Sequence, residues 1–463
     1  MQQAPPPGRV VKLDQGQEPR NGASALPLDG DVYKMGASPG IGEVAKERPG
    51  GIRVGSFNMR TFSSLENPVF RLYFGAMAGW MAAMNSRMVA RSLLVYLVSG
   101  SATVLGLMAL ANSVPMFFFS LYGGVLADRV QKKDVLLVGV IFSGISSVAL
   151  GLCITLGFLG PQHPESWWIL IVAAVVEGII MGLMLPSRQS MIAEIVPQEQ
   201  LMNAVALNNF EMNINRMLIP ALGGFFIAGF GFANVFYVMG AMYVVSAVFL
   251  LMMPRTSTIA ARTGNSTLSD MKDGFIYAKN QPTILLVLVI TFFIVLLSTP
   301  YMSLLPVFTE DILHVGSEGM GILISVSGIG AIVGSIVLAS LPNKWRGAML
   351  IGGGAVLGLS LTAFSFSNIW WFSLMMILFV GLGQTMRMTL GSTLLQYYVE
   401  DKYRGRVMSL YMMEFGLTSL GTFIAALLAD FIGVQWSVGG LAIMLVVASI
   451  LMFVFLPHIR RLD

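Results

Sequence analysis

The sequence contains few charged residues for its length: Asp, Glu, Lys and Arg together make up 11% of 463 residues. Soluble globular proteins usually contain about 25% charged residues. The scarcity of charge therefore argues against a soluble domain. The mean hydropathy of +0.75 and the 55% share of hydrophobic residues instead indicate a chain that is solvated largely by lipid.

Histidine and cysteine are also scarce, which excludes most enzyme chemistry. The three histidines, His163, His314 and His458, lie in predicted loops or at the chain end, so they form no cluster for metal binding or general-base catalysis. There is no Gly-x-x-x-x-Gly-Lys-Ser/Thr loop for ATP, and one cysteine cannot form an intramolecular disulfide. We expect a protein that is not an enzyme, binds no metal or cofactor and, because its basic residues are dispersed, binds no nucleic acid.

Long hydrophobic runs are abundant by contrast. A helix needs about 20 apolar residues to cross the roughly 30 Å of hydrocarbon in a bilayer, and helices are the only plausible spanning form for runs of this length. The sequence therefore predicts an all-α, polytopic membrane protein with twelve transmembrane helices. The predicted runs are 69–98, 102–127, 135–159, 167–187, 203–230, 233–253, 284–308, 317–341, 347–366, 369–395, 405–431 and 434–457.

Positive charge is confined to alternate loops. Lys and Arg occur in residues 128–134, at Arg188, across 255–279, near 344–346, in 402–406 and at the C-terminus, whereas the intervening loops contain none. Short loops rich in Lys and Arg remain in the cytoplasm. Both termini are therefore predicted to be cytoplasmic, which agrees with an even number of crossings.

The predicted helices divide into two pseudo-symmetric six-helix bundles. The segment 392–414 aligns with 190–211 so that Glu414 lies under Glu211, and both segments connect a fourth to a fifth helix. Paired halves around a central site are the usual plan of secondary transporters. The predicted organisation is a disordered cytoplasmic tail (1–65), an N-terminal bundle (66–253), a cytoplasmic central loop (254–283), a C-terminal bundle (284–457) and a cytoplasmic C-terminus (458–463). The tail is either dispensable or a docking segment.

A charged loop follows the second predicted helix and reads GGVLADRVQKK, residues 123–133. It resembles the signature loop of the major facilitator superfamily, although Gln131 replaces a glycine usual in the family. With SGSATVLGL at 99–107, LPSRQSMIAEIVP at 185–197 and NAVALNN at 203–209, the chain is similar to the bacterial branch that includes the enterobactin and macrolide exporters. The resemblance implies a multi-pass protein of the bacterial cytoplasmic (inner) membrane. It also implies a conformational latch at Gly124, Asp128 and Arg129; the alternative is that these residues only set the topology.

A second element, PALGG at 220–224, resembles the fifth-helix motif of antiporters, with Ile219 in place of its first glycine. Pro220 removes a helix hydrogen bond, and Gly223 and Gly224 let a neighbouring helix approach. We therefore expect a helix bend and a close crossing at Pro220, Gly223 and Gly224. The resemblance implies export by exchange.

Seven ionisable residues lie within the predicted spans. A charge facing lipid at the bilayer centre costs roughly 2.5–3.5 kcal/mol on insertion scales, so these side chains should face a cavity or a partner. Glu177, Glu211 and Glu414 are candidates for proton coupling, with Glu177 near either Arg87 or Arg91; the alternative for Glu177 is a static buried pair. Arg387 and Glu414 are expected to pair in the second half. The substrate-cavity candidates are Arg87, Arg91, Met77, Met81, Met84, Met88, Asn208, Asn215, Arg216 and Arg387.

Methionine and arginine share one face of the first predicted helix. Flexible thioethers suit a surface that repacks around varied apolar ligands, and the arginines suit an anionic group; a methionine stripe is also common in ordinary packing. The predicted function is export of amphipathic organic small molecules of the drug or siderophore class by a monomer that uses alternating access and proton antiport. The alternatives are a facilitator of the same fold for lysophospholipid or another lipid-like substrate, or a transport-inactive membrane sensor.

Overall fold

The computed structural model describes residues 59–255, 267–342, 344–460 and 462, and all regular secondary structure in these ranges is helical. The predicted tail up to residue 58 lies outside the described residues. The helices are α1 (Pro68–Ser99), α2 (Ala102–Arg129), α3 (Lys132–Thr155), α4 (Trp167–Ile195), α5 (Gln198–Met252), α6 (Thr267–Asn280), α7 (Pro282–Ser298), α8 (Pro300–Val307), α9 (Gly316–Ser340), α10 (Arg346–Ser365), α11 (Trp370–Tyr398), α12 (Asp401–Met412), α13 (Glu414–Ile432), α14 (Val434–Phe455) and α15 (Pro457–Arg460).

Nine helices in the described part of the chain are long and apolar enough to cross a membrane by length and composition. The longest, α5, contains both the fifth and the sixth predicted runs, which are separated at Gly231 (φ 79°, ψ 170°). Only glycine adopts this backbone conformation without strain. The helices α1 and α13, which contain Arg87, Arg91 and Glu414, are not among the nine, whereas α4, α5 and α11, which also contain charged residues at membrane depth, are. The fold class is confirmed, and the count of twelve crossings stays a prediction.

Several helix boundaries differ from the sequence prediction. The predicted run 284–308 is divided at Thr299 into α7 and α8, and the predicted run 405–431 is divided at Met413 into α12 and α13. The helix α4 continues through Arg188, which was expected in a loop, and ends at Ile195. The predicted central loop contains the helix α6, whose Tyr277 ring stacks on Tyr403 of α12 with ring centroids 4.1 Å apart. Each extension is held by tertiary contacts, which hydropathy alone does not report.

The last part of the predicted tail also belongs to the fold. Residues Met59–Glu66 form a 3-10 segment before α1. The hydroxyl of Ser64 donates a hydrogen bond to Asn203 Oδ1 at 2.7 Å, and Asn67 caps α1 by accepting from the backbone N–H of Val69 at 2.9 Å. These contacts anchor the start of α1 to the start of α5.

Two helix pairs join the halves: α5 packs against α9, and α2 packs against α13. At Gly224, an added Cβ would overlap the carbonyl oxygen of Ser317 on α9; at Gly106 of α2, it would lie 2.6 Å from the Cβ of Ala426 on α13. The hydroxyls of Ser113 and Ser419 also hydrogen-bond across the second pair. These crossings therefore require small residues on both sides.

The two pairs diverge along their length. We call the end of the bundle that contains residues 129–133 the basic end, and the end that contains residues 99–102 the opposite end. On α2, Gly106 touches α13, but at Gly124, five turns closer to the basic end on the same face, no atom of the described residues lies within 4 Å of an added Cβ. The halves are therefore in contact toward the opposite end and apart toward the basic end.

An aspartate of the second half caps a helix of the first half at the opposite end. Asp430 accepts hydrogen bonds from the backbone N–H groups of Ala102 and Thr103, both at 2.9 Å, and from the Ser101 hydroxyl at 2.7 Å. Nearby, the Tyr96 hydroxyl donates to the carboxylate of Asp311. A carboxylate is stabilised at the N-terminus of a helix by the free N–H groups and the helix dipole.

We expect Asp430→Asn to loosen this end of the bundle. The amide has one acceptor oxygen and no charge, so the interaction with the helix N-terminus should weaken by about 1 kcal/mol, which is roughly a fivefold shift toward separation of the halves. Spin labels at Phe158 and Ile369, which are exposed on loops at this end, should show a larger population of long distances. Asp401→Asn, on an exposed surface pair, is the control; equal distance distributions in the two variants would contradict the prediction.

Candidate functional site

A buried ionic network lies inside the first half. Arg87 of α1 forms an ion pair with Glu177 of α4, and the Ser143 hydroxyl of α3 lies 3.2 Å from Oε1 of the same carboxylate. Arg87 is 8% exposed and Glu177 is 2% exposed. Glu177 therefore faces α1 and α3 within its own half, and of the two predicted arginine partners it pairs with Arg87.

Arg91 lies one turn from Arg87, close to Glu177 and Tyr243. It is half-buried, and it forms no ion pair within the described residues. The network thus contains two guanidinium groups and one carboxylate. Its net positive charge is compatible with either a structural role or attraction of an anion.

The second half contains the predicted pair of Arg387 and Glu414. Arg387 Nη1 of α11 lies 2.8 Å from Glu414 Oε2 of α13, and both side chains are buried. The helix α12 also packs here, because the Tyr411 hydroxyl donates to the carbonyl of Met388 at 3.2 Å. This pair lies between helices of one half, as the first network does.

The surroundings of Glu211 on α5 differ from those of Glu177 and Glu414, which are each in an ion pair. It is 6% exposed, and neither of its carboxyl oxygens has a hydrogen-bond partner among the described residues. The guanidinium of Arg188 is close enough to interact with it electrostatically, but this guanidinium lies over the Trp80 ring, 5.0 Å from its centroid. Sequence reasoning missed Arg188 because the segment around it was taken for a loop.

The polar residues of α5 divide between two faces. Asn215 is buried and donates to the carbonyl of Glu211 at 3.1 Å, and Asn208 is half-buried. On another face, Asn209 and Asn213 are exposed and Arg216 is half-buried. Of the polar α5 residues predicted for the cavity, Asn208 and Arg216 are therefore partly accessible and Asn215 is not, while the exposed amides Asn209 and Asn213 were not among the predicted cavity residues.

The methionine face of α1 is only partly accessible. Met77 and Met81 are buried in the hydrophobic core at 1% and 3% exposure. Met84 is half-buried, and Met88 is exposed. In this conformation Met77 and Met81 pack in the core, as the ordinary packing alternative expects, and a ligand could contact only Met84 and Met88. The role of this face in the cavity stays a prediction.

In the signature loop, the described side-chain contacts are made by its two lysines. Lys132 pairs with Glu194 of α4, and Lys133 donates to the carbonyls of Leu251 and Met253 at the end of α5. Arg129 is exposed, and the side chain of Asp128 is not among the described ones. The close helix approach occurs at Gly123, where a Cβ would lie 2.5 Å from the Gly182 carbonyl oxygen, and not at Gly124. The latch stays a prediction.

The element at 220–224 forms the predicted close crossing. The carbonyl of Pro220 lies against Gly321 of α9, and Gly224 lies against Ser317. The backbone N–H of Ala221 donates to the Ser325 hydroxyl at 3.1 Å, a bond between the halves. Gly223 makes only ordinary contact with Ser86, so the crossing depends on Gly224.

Three apolar grooves of about 410, 390 and 250 Å³ flank α3. They are lined mostly by aliphatic side chains, many of them exposed, such as Phe142 and Ile145. Their position beside α3 and apart from the crossings of the two halves indicates a surface solvated by lipid chains. In the described residues no group of three or more His, Cys, Asp or Glu side chains could hold a metal ion.

Comparison with known proteins agrees with this architecture. Residues 59–463 match the family described as transmembrane secretion effector. The staphyloferrin A transporter of Staphylococcus aureus is 26% identical over 72% of this chain and 83% of its own length. The macrolide efflux protein A of Streptococcus pyogenes is 22% identical over 83% of this chain and 95% of its own length. The enterobactin exporter EntS of Citrobacter koseri is 23% identical over 85% of this chain and 93% of its own length.

Solved structures show the same fold. A bacterial homolog of the human lysosomal transporter Spinster, in an inward-facing and unoccupied conformation, superimposes with a TM-score of 0.66 at 15% identity and covers 88% of this chain and 100% of its own. The nucleoside transporter NupG superimposes with a TM-score of 0.68 at 13% identity, and the match covers 83% of this chain and 100% of NupG. The family match covers most of the chain, and the chain therefore belongs to the transmembrane secretion effector family of major facilitator superfamily transporters, membrane proteins that move small molecules and are not enzymes.

Proposed function

We propose that this protein exports amphipathic organic small molecules across the bacterial inner membrane by proton antiport, through alternating access of one monomer. The observation that best supports proton coupling is the difference in partners among the three buried acids. Glu177 and Glu414 each form an ion pair with an arginine, whereas neither carboxyl oxygen of Glu211 has a hydrogen-bond partner among the described residues. An unpaired carboxylate in the interior is costly, so Glu211 is the acid that gains most from holding a proton in this conformation.

Arg188 provides the alternative partner for Glu211. When Glu211 releases its proton, the carboxylate attracts the guanidinium, which must leave the face of Trp80. Because Arg188 is on α4, Glu211 is on α5 and Trp80 is on α1, this exchange changes contacts among three helices of the first half. A charge change that favours one packing over another can shift a two-state equilibrium.

The geometry of the two halves supports the direction of transport. The halves are apart at the basic end, which the distribution of Lys and Arg predicts to be cytoplasmic. A cavity open on that side can take up a cytoplasmic molecule, and closure there with opening at the Asp430 end would release it outside. Two of the relatives described above are named as efflux or export proteins, and the element around Pro220 resembles that of antiporters.

The predicted domains extend this proposal. The bundles 66–253 and 284–457 would be the two moving halves, with the described start of the first at Met59. The central segment 254–283, with α6 docked on α12, would connect them on the cytoplasmic side, where both termini would also lie.

Glu211→Gln should abolish proton coupling. In everted membrane vesicles, adding a transported fluorescent amphiphile should partly collapse an imposed pH gradient for the unmodified protein and leave it unchanged for the variant. Gradient-independent exchange of the amphiphile should persist in the variant, because glutamine mimics the protonated acid. Carboxyfluorescein and ethidium are suitable as the acidic and the cationic amphiphile.

Glu199→Gln is the matched control, since Glu199 is an exposed acid at the start of the same helix. It should retain the substrate-dependent collapse of the gradient. If Glu211→Gln retained that collapse as well, Glu211 would not be the coupling group.

A further inference from the structure

One face of α5 changes its environment along the helix. At about 100° per residue, Asn209, Asn213, Arg216, Pro220 and Gly224 lie within an arc of about 80°. Pro220 and Gly224 are buried against α9 of the second half, whereas Asn209 and Asn213 are exposed. The two amides therefore look into the space that opens where the halves diverge.

This space must contain water. The first segment of α5 runs from residue 198 to the break at Gly231, so Asn213 and Arg216 are near its middle. Amide and guanidinium groups exposed to hydrocarbon at that depth would be costly, and such groups normally face a cavity or a partner. The shared face with Pro220 and Gly224 identifies the cavity as the one between the halves.

Arg216 lies where the cavity narrows. Its carbonyl oxygen lies 3.6 Å from the position of an added Cβ at Gly328 of α9, and its guanidinium acts electrostatically on Tyr301 of α8 in the second half. It forms no ion pair within the described residues. Arg216 thus presents a cation at the narrow end of the cavity, between the two halves.

The surrounding charge is positive as well. The buried acids Glu177 and Glu414 are each neutralised by an arginine, and if Glu211 holds a proton it adds no negative charge. Arg91, Arg188 and Arg216 then remain without a paired carboxylate among the described residues. A cavity wall in this environment attracts anions and repels cations.

We propose that Arg216, with Asn213 beside it and Asn209 one turn further, forms the subsite that binds an acidic group of the transported molecule, such as a carboxylate. The planar guanidinium donates two parallel hydrogen bonds to an oxyanion, and an amide NH₂ donates a third. The preferred substrates are therefore acidic amphiphiles. This inference rests on the proposed transport function and specifies its substrate class.

The test measures binding, not transport. The full-length protein in nanodiscs is titrated against carboxyfluorescein as the anionic probe and ethidium as the cationic probe, with fluorescence anisotropy as the readout. Arg216→Gln should weaken carboxyfluorescein binding at least about tenfold, as expected for loss of a charge-assisted hydrogen-bonded contact, and leave ethidium binding unchanged or tighter. Asn213→Ala should weaken only the anionic probe, by a smaller factor.

Two controls keep the result interpretable. Arg216→Lys retains the charge without the planar fork and should fall between the unmodified protein and Arg216→Gln, and Arg404→Gln, at a half-exposed surface pair, should bind both probes normally. Unchanged carboxyfluorescein binding in Arg216→Gln, or an equal loss for both probes, would overturn the subsite.

Failure of the subsite can be told apart from failure of the proposed function. Binding in nanodiscs requires no proton gradient, so Glu211→Gln should bind carboxyfluorescein like the unmodified protein even though its coupled transport is lost. If Arg216→Gln keeps anion binding while Glu211→Gln loses coupling, antiport stands and the subsite is wrong. If Arg216→Gln loses anion binding while Glu211→Gln still couples, the subsite stands and the coupling residue is wrong.

Discussion

Replacing Arg87 with leucine is expected to destabilise the protein by about 3–5 kcal/mol, because it leaves the carboxylate of Glu177 buried without its cation. Glu177 is 2% exposed, and the Ser143 hydroxyl is the other described group that contacts its oxygens. One neutral hydroxyl cannot compensate for the loss of a guanidinium. The measurement is the free energy of unfolding in detergent, or the midpoint temperature of unfolding in nanodiscs.

The double variant Arg87→Leu with Glu177→Leu should recover most of that loss. Replacing both members of a buried ion pair with hydrophobic residues is often neutral, since neither member of the pair is left buried without its partner. Arg404→Leu, at a half-exposed pair with Asp401, should change stability by less than about 1 kcal/mol. A single Arg87→Leu variant as stable as the unmodified protein would show that Glu177 is already neutral in the folded state or that the nearby Arg91 replaces Arg87 as its partner.

The same network bears on the alternative roles of Glu177. If the pair is static, Glu177→Gln should retain substrate-dependent proton flux at a reduced amount of folded protein. If Glu177 itself couples protons, flux should disappear from correctly folded protein. Flux per folded molecule separates the two.

The sequence predicted the membrane class, the paired halves and the family because each depends on short-range or compositional signals. Apolar runs of about 20 residues reveal spans wherever charge is absent. The Arg387 and Glu414 pair was also predictable, since both residues lie at membrane depth on helices that follow each other in the chain. The sequence could not predict which of Arg87 and Arg91 pairs with Glu177, because the two arginines are one turn apart on the same face.

Other features of the candidate site depend on contacts between distant segments. The sequence around Pro186 and Arg188 is polar enough to suggest a helix end, yet α4 continues to Ile195 and Arg188 interacts with Trp80 and Glu211. The bonds from Asp430 to residues 101–103 join positions more than 300 residues apart. A periodic pattern also cannot tell which polar face of α5 meets water, since that depends on where the halves diverge.

Gly321→Leu should cause a large loss of transport, because it blocks the contact that closes the halves. An added Cβ at Gly321 would overlap the carbonyl oxygen of Pro220 and lie 3.0 Å from the Cα of Ala221. Both obstacles are backbone atoms, so no side-chain rotation can relieve the clash. The closed contact at this crossing should be destabilised by at least about 1–3 kcal/mol, and the bonds from Ala221 to Ser325 and from residues 101–103 to Asp430 should weaken with it.

The variant should therefore favour the conformation that is open at the opposite end and take up substrate poorly at the basic end. Because each 1.4 kcal/mol changes an equilibrium by a factor of ten, we expect transport to fall by about fivefold to a hundredfold. We also expect the labels at Phe158 and Ile369 to move apart. Gly352→Leu is the matched control, because an added Cβ at Gly352 has nothing within 4 Å and its helix should keep its packing. Normal transport by Gly321→Leu would mean that the halves never need to close at this crossing. Alternating access through α5 and α9 would then be wrong, even though the fold would be unaffected.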